Sequence, residues 1–294
     1  MQELLGLGDA KKLKSVAGLA GGIGHQGEAC GIVVGGALAL ALASAGNDED
    51  HATVTARGCT LVNEFVQRFA ERSGSTRCRD IAQTDFDDDR QLRRYVLGKS
   101  RTCVKLAGAS ASMLADIVDR EQIHPGKHFV ELTQRFSESN FHCAQSVVML
   151  ASEELGVAPV LPSTMLIPLN GGIGYSGSTC AALLGGCIVI GLQKGGDTSQ
   201  TGMFTSVRRL LLTLIQGASA FHRLDLSPAN DALLRCAELA KWFQTQFHSR
   251  LCREITEVDF QDEQQSWRYF EEGIISRCIS MAQETAAKAA ALAR

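Results

Sequence analysis

The residues best suited to chemistry in this 294-residue sequence are its ten cysteines. Seven of them form two related series, one in each half of the chain, in which three cysteines of the second half have a counterpart in the first. The second half holds four of the seven: Cys143, Cys180, Cys252 and Cys278. The first half holds three counterparts: Cys30, Cys78 and Cys103. Cysteine thiolates ligate metal ions and iron–sulfur clusters, and paired thiols exchange with disulfides, so the pattern indicates metal or redox chemistry.

These correspondences come from an internal duplication. The segment GLAGGIGHQGEACGIVVGG, starting at Gly18, recurs as PLNGGIGYSGSTCAALLGG from Pro168. The segment RCRDIAQTDFDDDRQLRRY, starting at Arg77, recurs as LCREITEVDFQDEQQSWRY from Leu251. Two matched blocks in the same order are not explained by chance similarity of Gly- and Ala-rich helices. We expect the first copy to lack its opening helix and one cysteine, because that site has decayed or because the recorded start is late.

The spacing between the cysteines favours an iron–sulfur cluster over zinc. No CxxC pair occurs, whereas a zinc knuckle usually takes two ligands from one tight turn. An iron–sulfur cluster needs three or four convergent thiolates, and separate helices can supply them one at a time. Neighbouring guanidinium groups would favour thiolate over thiol and offset the charge of a cluster. Such arginines precede or follow the cysteines: Arg77 and Arg79 beside Cys78, Arg250 and Arg253 near Cys252, and Arg101 and Arg277 before Cys103 and Cys278.

The three remaining cysteines are expected to be core residues. Cys59 and Cys236 match in position, but both lie in segments whose apolar residues have a helical period. Cys187 corresponds to Ala37 and has no arginine beside it. Because a free cysteine packs as a small buried hydrophobe, we predict that these three contribute only to packing.

Both copies carry a glycine loop, GGIGHQG and GGIGYSG, that fits G-x-G-x-x-G. In a Rossmann unit this motif follows a strand, but no series of parallel strands is indicated here. We expect instead that Gly172, Gly174 and Gly177 allow a tight turn, which points helix N-terminal N–H groups at the next cysteine. Together with Arg253 and Arg277, these glycines are predicted to contribute to cofactor binding.

The elements that must position these residues are predicted to be helices. Apolar residues recur with a helical period from Leu61 to Ala70 and from Leu233 to Phe247, and no convincing strand pattern occurs. The segments after Cys30 and Cys180 each contain a Gly-Gly pair, which allows another helix to approach closely. The predicted fold is therefore all-α, with two tandem units packed around Gly/Ala-rich central helices.

The duplication also divides the chain into domains. We assign residues 1–119 to the first unit, residues 120–128 to a linker that contains Pro125-Gly126, and residues 129–294 to the second unit. Residues 195–228 are predicted to form a longer middle loop that only the second unit has. The two units are expected to pair about a pseudo-two-fold axis through their Gly-Gly helices.

Composition restricts the class of protein further. The chain is 45 % apolar and 21 % charged, which is typical of a globular protein, and its net charge of −3 gives no indication of nucleic-acid binding. The N-terminus lacks a signal-peptide pattern, so a cytoplasmic location is expected. The uncharged run from Ala29 to Gly46 is at the lower limit of a membrane span, and we interpret it as a buried helix. No CxxCH motif for c-type haem is present.

These motifs resemble the C-GCAxxG-C-C family of redox-active proteins, which is named for four cysteines in one unit. The second copy carries the matching residues: Phe141-His142-Cys143-Ala144-Gln145-Ser146, the glycine loop, Cys180-Ala181-Ala182 with Gly185, and then Cys252 and Cys278. Each copy departs from the central Cys-Gly-Ala-x-x-Gly motif at one position, Ile32 in the first and Ala181 in the second. A similar unit accompanies the haem-binding part of split-Soret cytochromes, where it is associated with an iron–sulfur centre. The resemblance implies an all-helical redox module, with an iron–sulfur cluster as the expected cofactor, and it specifies no reaction.

Three functions remain open at this point. The first is an electron-transfer or redox-accessory protein with a cluster on the four cysteines of the second copy, while the three of the first copy form a degenerate or partner-completed site. The second is a metal-free thiol–disulfide sensor or reductase. The third is a non-enzymatic helical binding module with buried cysteines. An unidentified redox protein is the expected partner, and a homodimer could add to the internal pairing.

Overall fold

The computed structural model describes residues 13–44, 51–120, 125–196, 203–221 and 223–294. In it, the first unit is a bundle of helices. Over these ranges the secondary structure is helical, with two isolated β-bridges and no strand. The prediction of an all-α fold is confirmed. The helices of the first unit are a 3-10 turn (Ala17–Leu19), α1 (Gly31–Ala43), α2 (His51–Ser73), α3 (Cys78–Ala82), α4 (Asp89–Arg94), a π-helix (Tyr95–Lys99) and α5 (Ser100–Val118).

The second unit repeats this order and adds helices at its start and in its middle. Its helices are α6 (Lys127–Glu138), α7 (Cys143–Leu155), α8 (Ser163–Leu166), a 3-10 turn (Ile167–Leu169), α9 (Ala181–Lys194), α10 (Met203–Gln216), α11 (Ala218–Phe221), a second 3-10 turn (Leu224–Leu226), α12 (Asn230–Phe247), α13 (Cys252–Thr256), α14 (Glu263–Glu271) and α15 (Ile274–Ala293). Because α10 and α11 lie within residues 195–228, the prediction of a loop there was wrong. Of the linker assigned to residues 120–128, residues 127 and 128 belong to α6, and residues 121–124 fall outside the described residues.

Helices α1 and α9 are the centres of their units, as predicted. In α9, every residue from Ala181 to Gly191 is buried, and the helix packs against α7, α12 and α15. Helix α1 holds the corresponding place and packs against α2 and α5. Small residues permit these close contacts, since Gly185 lies against the backbone of Ala144 in α7 and Gly36 lies against the ring of Phe65 in α2.

The two units pair through their glycine loops and their long helices. The loop of the second unit contacts α2 of the first, where Asn63 Nδ2 donates a hydrogen bond to Gly174 O over 2.6 Å. The loop of the first unit contacts α12 of the second, where Gly24 lies against the backbone of Ala237. Buried apolar side chains of both units form one continuous core. Each unit therefore extends a loop into the other.

The expectation that the Gly-Gly helices form this interface was wrong. Gly36 and Gly185 pack against helices of their own units, and α1 and α9 make no extended contact with each other. The small residues are used to bring α2 and α7 close to the central helices. The units meet through the glycine loops, through α2 against α6, and through contacts of α1 with α8 and of α9 with the first 3-10 turn.

Between the second and third cysteines of the first unit, helix α4 begins at Asp89. The side chain of Asp88 caps it by accepting a hydrogen bond from Gln91 N over 2.8 Å. Helix α4 then continues directly through the π-helix into α5. In the second unit, the corresponding helices α14 and α15 are separated at Gly273, which has a φ of +73°.

Within the uncharged run from Ala29 to Gly46, residues Gly31–Ala43 form α1, and most of them are buried. Residues 45 and 46 of the run lie outside the described residues. Among the residues that the structure describes, no helix is both long enough and apolar enough to cross a membrane.

Candidate functional site

The four cysteines of the second unit line one small cavity. Each comes from a different helix: Cys143 begins α7, Cys180 immediately precedes α9, Cys252 begins α13, and Cys278 lies in the second turn of α15. The cavity has a volume of about 10 Å³, roughly that of one water molecule. Its remaining walls are mostly apolar or aromatic: Phe136, Gly171, Ala181, Ile255, Thr256, Phe260, Tyr269 and Met281. The structure thus brings together the four cysteines that the sequence singled out.

Burial keeps these four thiols protonated. It raises the pKa of Cys180 to about 12, and it raises the pKa of Cys278 as well. For Cys143 and Cys252, burial raises the pKa well above the ordinary value, and the neighbouring cysteines of the set raise it further. Thiolates in this cavity would need a compensating positive charge, which a bound metal centre would supply.

The N-terminus of α9 faces the sulfur of Cys180. The pKa of this thiol is raised chiefly by burial, and the backbone N–H groups of Ala182 and Leu183 oppose that effect by donating to the sulfur. In the first unit, the N–H groups of Ile32 and Val33 face Cys30 in the same way. This confirms the prediction that the chain after the glycine loop presents helix N-terminal N–H groups to the cysteine.

The glycine loop itself is a left-handed turn. All five residues from 171 to 175 have positive φ, between 60° and 80°, and residues 21–25 repeat the pattern with φ between 55° and 75°. A Cβ is unfavourable in this region, which explains why three of the five positions in each loop are glycine. Gly172 has a second reason, because a Cβ there would lie 2.8 Å from the Cβ of Cys252.

Backbone hydrogen bonds join the end of this loop to the segment that carries Cys252. Cys252 N donates to Ser178 O over 2.7 Å, and Cys180 N donates to Arg250 O over 2.8 Å. The first unit repeats both bonds, from Cys78 N to Glu28 O and from Cys30 N to Thr76 O. The loop therefore fixes the position of one cysteine relative to the next.

The other predicted cofactor-binding residues lie further from the sulfurs. Gly174 packs on α2 of the other unit, and Gly177 packs on the side chain of Arg253. Arg253 donates to Ser176 O over 3.3 Å and lies 3.7 Å from the carboxylate of Asp259. Of the three glycines, Gly172 is thus the one next to a cysteine, while Arg253 holds the loop in place.

Arg277 affects the pKa of one thiol of the set, Cys278. Burial raises the pKa of Cys278, whereas the neighbouring hydroxyl of Tyr269 and the charge of Arg277 both lower it. This is the effect that was predicted for an arginine beside a cysteine.

The arginines around Cys78 and Cys252 face a buried carboxylate instead of a thiolate. Glu28, whose side chain is 3 % exposed, has its Oε1 2.9 Å from Arg79, 3.5 Å from Arg77 and 3.2 Å from Arg250 of the second unit. Arg250 also donates to Ala240 O over 2.8 Å. The prediction that Arg77, Arg79 and Arg250 offset thiolate charge is corrected: all three neutralise Glu28, and the ion pair with Arg250 joins the two units.

Asn170 and His142 form a polar pair beside Cys143. Asn170 Oδ1 accepts a hydrogen bond from Cys143 N over 3.1 Å, and its Nδ2 lies 2.9 Å from Nδ1 of His142. Burial lowers the pKa of His142 to about 4, so this ring is neutral at physiological pH. The amide of Asn170 thereby holds the first turn of α7, which carries Cys143, and sequence reasoning missed it.

Tyr269 was also missed as a site residue. Its side chain is fully buried, and its hydroxyl has no hydrogen-bond partner among the described atoms. The hydroxyl instead faces the sulfurs of Cys143 and Cys278. Burial, followed by these two thiols, raises its pKa well above the ordinary value. The match of Tyr269 to Tyr95 within the duplicated block is the signal that could have identified it.

The first unit has a similar but more open set of three cysteines. Cys30 and Cys78 are buried, and Cys103 is half-buried. Burial raises the pKa of Cys78 to about 12, and the neighbouring Cys30 and Cys103 add to that shift. The hydroxyl of Tyr95 contacts Cys103, as that of Tyr269 contacts Cys278. The structure therefore places all three predicted cysteines together.

The three cysteines predicted to be core residues have no exposed surface. Cys59 lies against Thr133 and Tyr175 of the second unit, and Cys236 Sγ lies 3.7 Å from Cys187 O. They pack in the interior, as expected. All ten cysteines of the chain are free thiols.

The four thiols surround a void and do not converge on one point. Within the described ranges, no three His, Cys, Asp or Glu side chains lie close enough to hold a single metal ion. Thiols distributed around a void have two chemical uses: they can bind a cluster of several metal ions, or they can form disulfides in pairs on oxidation.

Comparison with known proteins assigns the chain to a family. The family model described as "Putative redox-active protein (C_GCAxxG_C_C)" matches residues 1–117 and 141–292. No curated protein and no solved structure matched the chain. The two matched segments follow the two structural units and together cover most of the sequence. This chain therefore belongs to the redox-active C-GCAxxG-C-C family, as a tandem duplication of the family unit.

Proposed function

We propose that this protein transfers electrons, or assists a redox enzyme, with an iron–sulfur cluster held in its second unit. The ligands would be the four thiolates of Cys143, Cys180, Cys252 and Cys278. The observation that carries the proposal is that four separate helices place these cysteines, and no other ligating side chain, around one apolar cavity.

The chemistry of the donor set supports a cluster. Iron–sulfur clusters are held by cysteine thiolates, and each protein thiolate adds a negative charge that the irons offset. Without such a centre, burial holds these thiols in the protonated form that does not react. The same burial would protect a bound cluster from water.

The surrounding residues have separate roles in this proposal. The N–H groups at the start of α9 donate to the sulfur of Cys180, and the hydroxyl of Tyr269 faces two further sulfurs. Hydrogen bonds to ligating sulfur raise the reduction potential, because they stabilise the more negative, reduced state. Arg277 adds a positive charge beside Cys278. The bound cluster would supply the electron-accepting and electron-donating chemistry.

Metal analysis of anaerobically purified protein tests this function. We expect brown protein with iron and acid-labile sulfide in near-equal amounts. Cys180→Ser should remove the iron of the second unit, because it replaces one of four ligands. Cys187→Ser is the matched control: it changes a buried cysteine within α9, the helix that Cys180 precedes. Cys187 does not line the cavity, so this variant should retain iron and colour. Colourless wild-type protein without iron or sulfide would contradict the proposal.

A metal-free thiol–disulfide function is the second candidate. The small volume of the cavity favours it, because closely packed thiols can form a disulfide with little movement. The raised thiol pKa values disfavour it, because the attacking species is the thiolate. Metal-free protein in which two thiols are lost and regained on oxidation and reduction would select this function over the first.

The location and partners follow from the same chemistry. We infer a reducing, cytoplasmic location, since ten free thiols and no disulfide suit such a compartment. The expected partner is a second redox protein that exchanges electrons with the cysteine site. A homodimer would add to the pairing of the two units within the chain.

A further inference from the structure

One face of the first unit is exposed where the equivalent face of the second unit is buried. In the second unit, Cys278 and the three alanines that follow it at intervals of four, Ala282, Ala286 and Ala290, are buried beneath α7 and α9. In the first unit the same helical face of α5 carries Cys103, Ala107, Ala111 and Ala115. Cys103 is half-buried and the three alanines are exposed. Val104, on the same side of α5, is 72 % exposed.

The central helix of the first unit has a matching gap. A Cβ added to Gly185 in α9 would lie 2.7 Å from the backbone oxygen of Ala144, because α7 packs directly on this glycine. A Cβ added to its counterpart Gly35 in α1 would meet no described atom within 4 Å. We call the surface formed by Gly35, Cys103, Ala107, Ala111 and Ala115 the open face.

The region beside the open face is uncovered as well. In the second unit the ring of Tyr175 is fully buried and stacks on Phe129 of α6, with the ring centroids 5.8 Å apart. Its counterpart His25 stacks on Phe86, with centroids 5.0 Å apart, and lines a cavity of about 400 Å³. The described part of the first unit thus has no equivalent of α6 or of the half of α7 that carries Cys143.

We propose that the open face binds an α-helix of a partner protein, and that this helix resembles α7. The duplication specifies its chemistry, because α7 occupies the equivalent face with a surface of small and branched apolar residues: Cys143, Ala144, Val147, Val148, Ala151 and Ser152. The partner helix would carry alanine and valine toward Gly35 and the alanines of α5. A cysteine in its first turn would lie next to Cys30, Cys78 and Cys103.

Such a helix would complete the first cysteine set. Three thiols from the first unit and one from the partner give the same four donors that the second unit supplies alone. This part of the inference rests on the proposed iron–sulfur function, whereas the binding of the helix does not. The site at which the protein meets its redox partner would then also be a ligand site.

A synthetic peptide with the sequence of residues 139–156, fluorescently labelled, tests the proposal. It would be titrated with the full-length protein under reducing, anaerobic conditions, and binding would be followed by fluorescence anisotropy. We expect saturable binding, weakened at least tenfold by Ala111→Arg, which places a long charged side chain on the open face. Ser112→Arg is the matched control, because Ser112 is exposed on a different side of α5, and it should leave the affinity unchanged.

Two outcomes would overturn the docking proposal. One is the absence of saturable binding to the wild-type protein. The other is binding that Ala111→Arg leaves unchanged, which would place the peptide elsewhere, for example at the face that α7 occupies in the second unit. Should Ala111→Arg disturb the helical circular dichroism, Ala107→Arg provides a second test of the same face.

Iron analysis separates this inference from the proposed function. After reconstitution with iron and sulfide, the peptide should raise the iron content of the Cys180→Ser variant, whose second site is disabled. A peptide with serine in place of its cysteine should bind but add no iron. Peptide binding without added iron would overturn the shared site and retain the docking surface. Wild-type protein that binds no iron after reconstitution would instead contradict the proposed function.

Discussion

The hydroxyl of Tyr269 is a sensitive probe of the cysteine site at the scale of a single residue. It is buried, it faces the sulfurs of Cys143 and Cys278, and it has no hydrogen-bond partner among the described atoms. If it donates to ligating sulfur, Tyr269→Phe should shift the reduction potential of the protein to a more negative value, because the reduced state loses a hydrogen bond. Protein-film voltammetry would measure the shift.

Tyr175→Phe is the control for this substitution. Tyr175 is buried equally deeply, but its hydroxyl lies against Thr133 and Cys59 at the interface between the units. Its loss should reduce stability without changing the potential. Equal potentials for the wild-type protein and Tyr269→Phe would show that the hydroxyl does not interact with a redox centre.

The carboxylate of Glu28 should contribute strongly to stability. Glu28→Gln removes the negative charge that compensates Arg250, whose side chain is only 10 % exposed, and that charge then lies buried without a counterion. We expect the free energy of unfolding to fall by about 3 kcal/mol or more, the usual cost of breaking a buried ion pair. Urea denaturation followed by circular dichroism would measure the change.

Glu64 provides the comparison for Glu28. It also faces two arginines, Arg68 and Arg120, but it is 30 % exposed. Glu64→Gln should therefore change the free energy of unfolding by less than about 1 kcal/mol. Similar losses for the two substitutions would mean that burial of Glu28 does not strengthen its ion pairs.

At this scale the sequence was sufficient to find the cysteines and insufficient to find their neighbours. The duplication paired the cysteines, because two copies of one unit must place them alike. The arginines beside them were assigned to thiolates because proximity along the chain was the available information. Glu28, which is replaced by Ser178 in the second copy, draws Arg250 from the other unit, and no local spacing could indicate that contact.

At the scale of helices, paired substitutions in the two central helices test which face of each unit is filled. Gly185→Ala would place a methyl group 2.7 Å from the Ala144 oxygen, so α7 must move. We expect a loss of about 1–3 kcal/mol in the free energy of unfolding. Gly35→Ala meets open space and should increase it by about 0.5–1 kcal/mol through helix propensity. Chemical denaturation of both variants would compare them.

The iron content provides a second readout for this pair. Because α7 carries Cys143, Gly185→Ala should also lower the iron bound by the second unit, while Gly35→Ala should not. If Gly35→Ala also lowered the free energy of unfolding, the first unit would hold a helix against Gly35 within its own chain.

Helical periodicity predicted most elements of this fold, and it was weakest where backbone conformation decided the outcome. The long helices α2 and α12 follow from their apolar period. The glycine loops were expected to turn tightly, but five consecutive residues of positive φ include Ile173 and Tyr175, which have no preference for that region. Helix α10 was missed because the glycines at 195 and 196 and the polar residues after them indicated a loop.

At the scale of the whole molecule, the duplication predicted two paired units and left their contacts undetermined. Two copies of a fold can pair through any self-complementary surface, and the Gly-Gly helices were one such surface. The structure uses another: each glycine loop lies on the long helix of the opposite unit, so that Gly174 contacts Asn63 and Gly24 contacts Ala237. A single core of buried side chains then runs through both units.

This exchange predicts that the two units cannot be separated without unfolding. A protease site inserted into the linker at residues 120–128 would allow the chain to be cut after folding. Because the loops and long helices hold the halves together, the cut protein should elute as one species in size-exclusion chromatography and unfold in one cooperative transition. Each unit expressed alone should lack a cooperative transition, since its glycine loop would lose the helix that covers it. Halves that elute separately after cutting, and keep their helical circular dichroism, would show that each unit folds by itself and that the contacts between glycine loops and long helices add little stability.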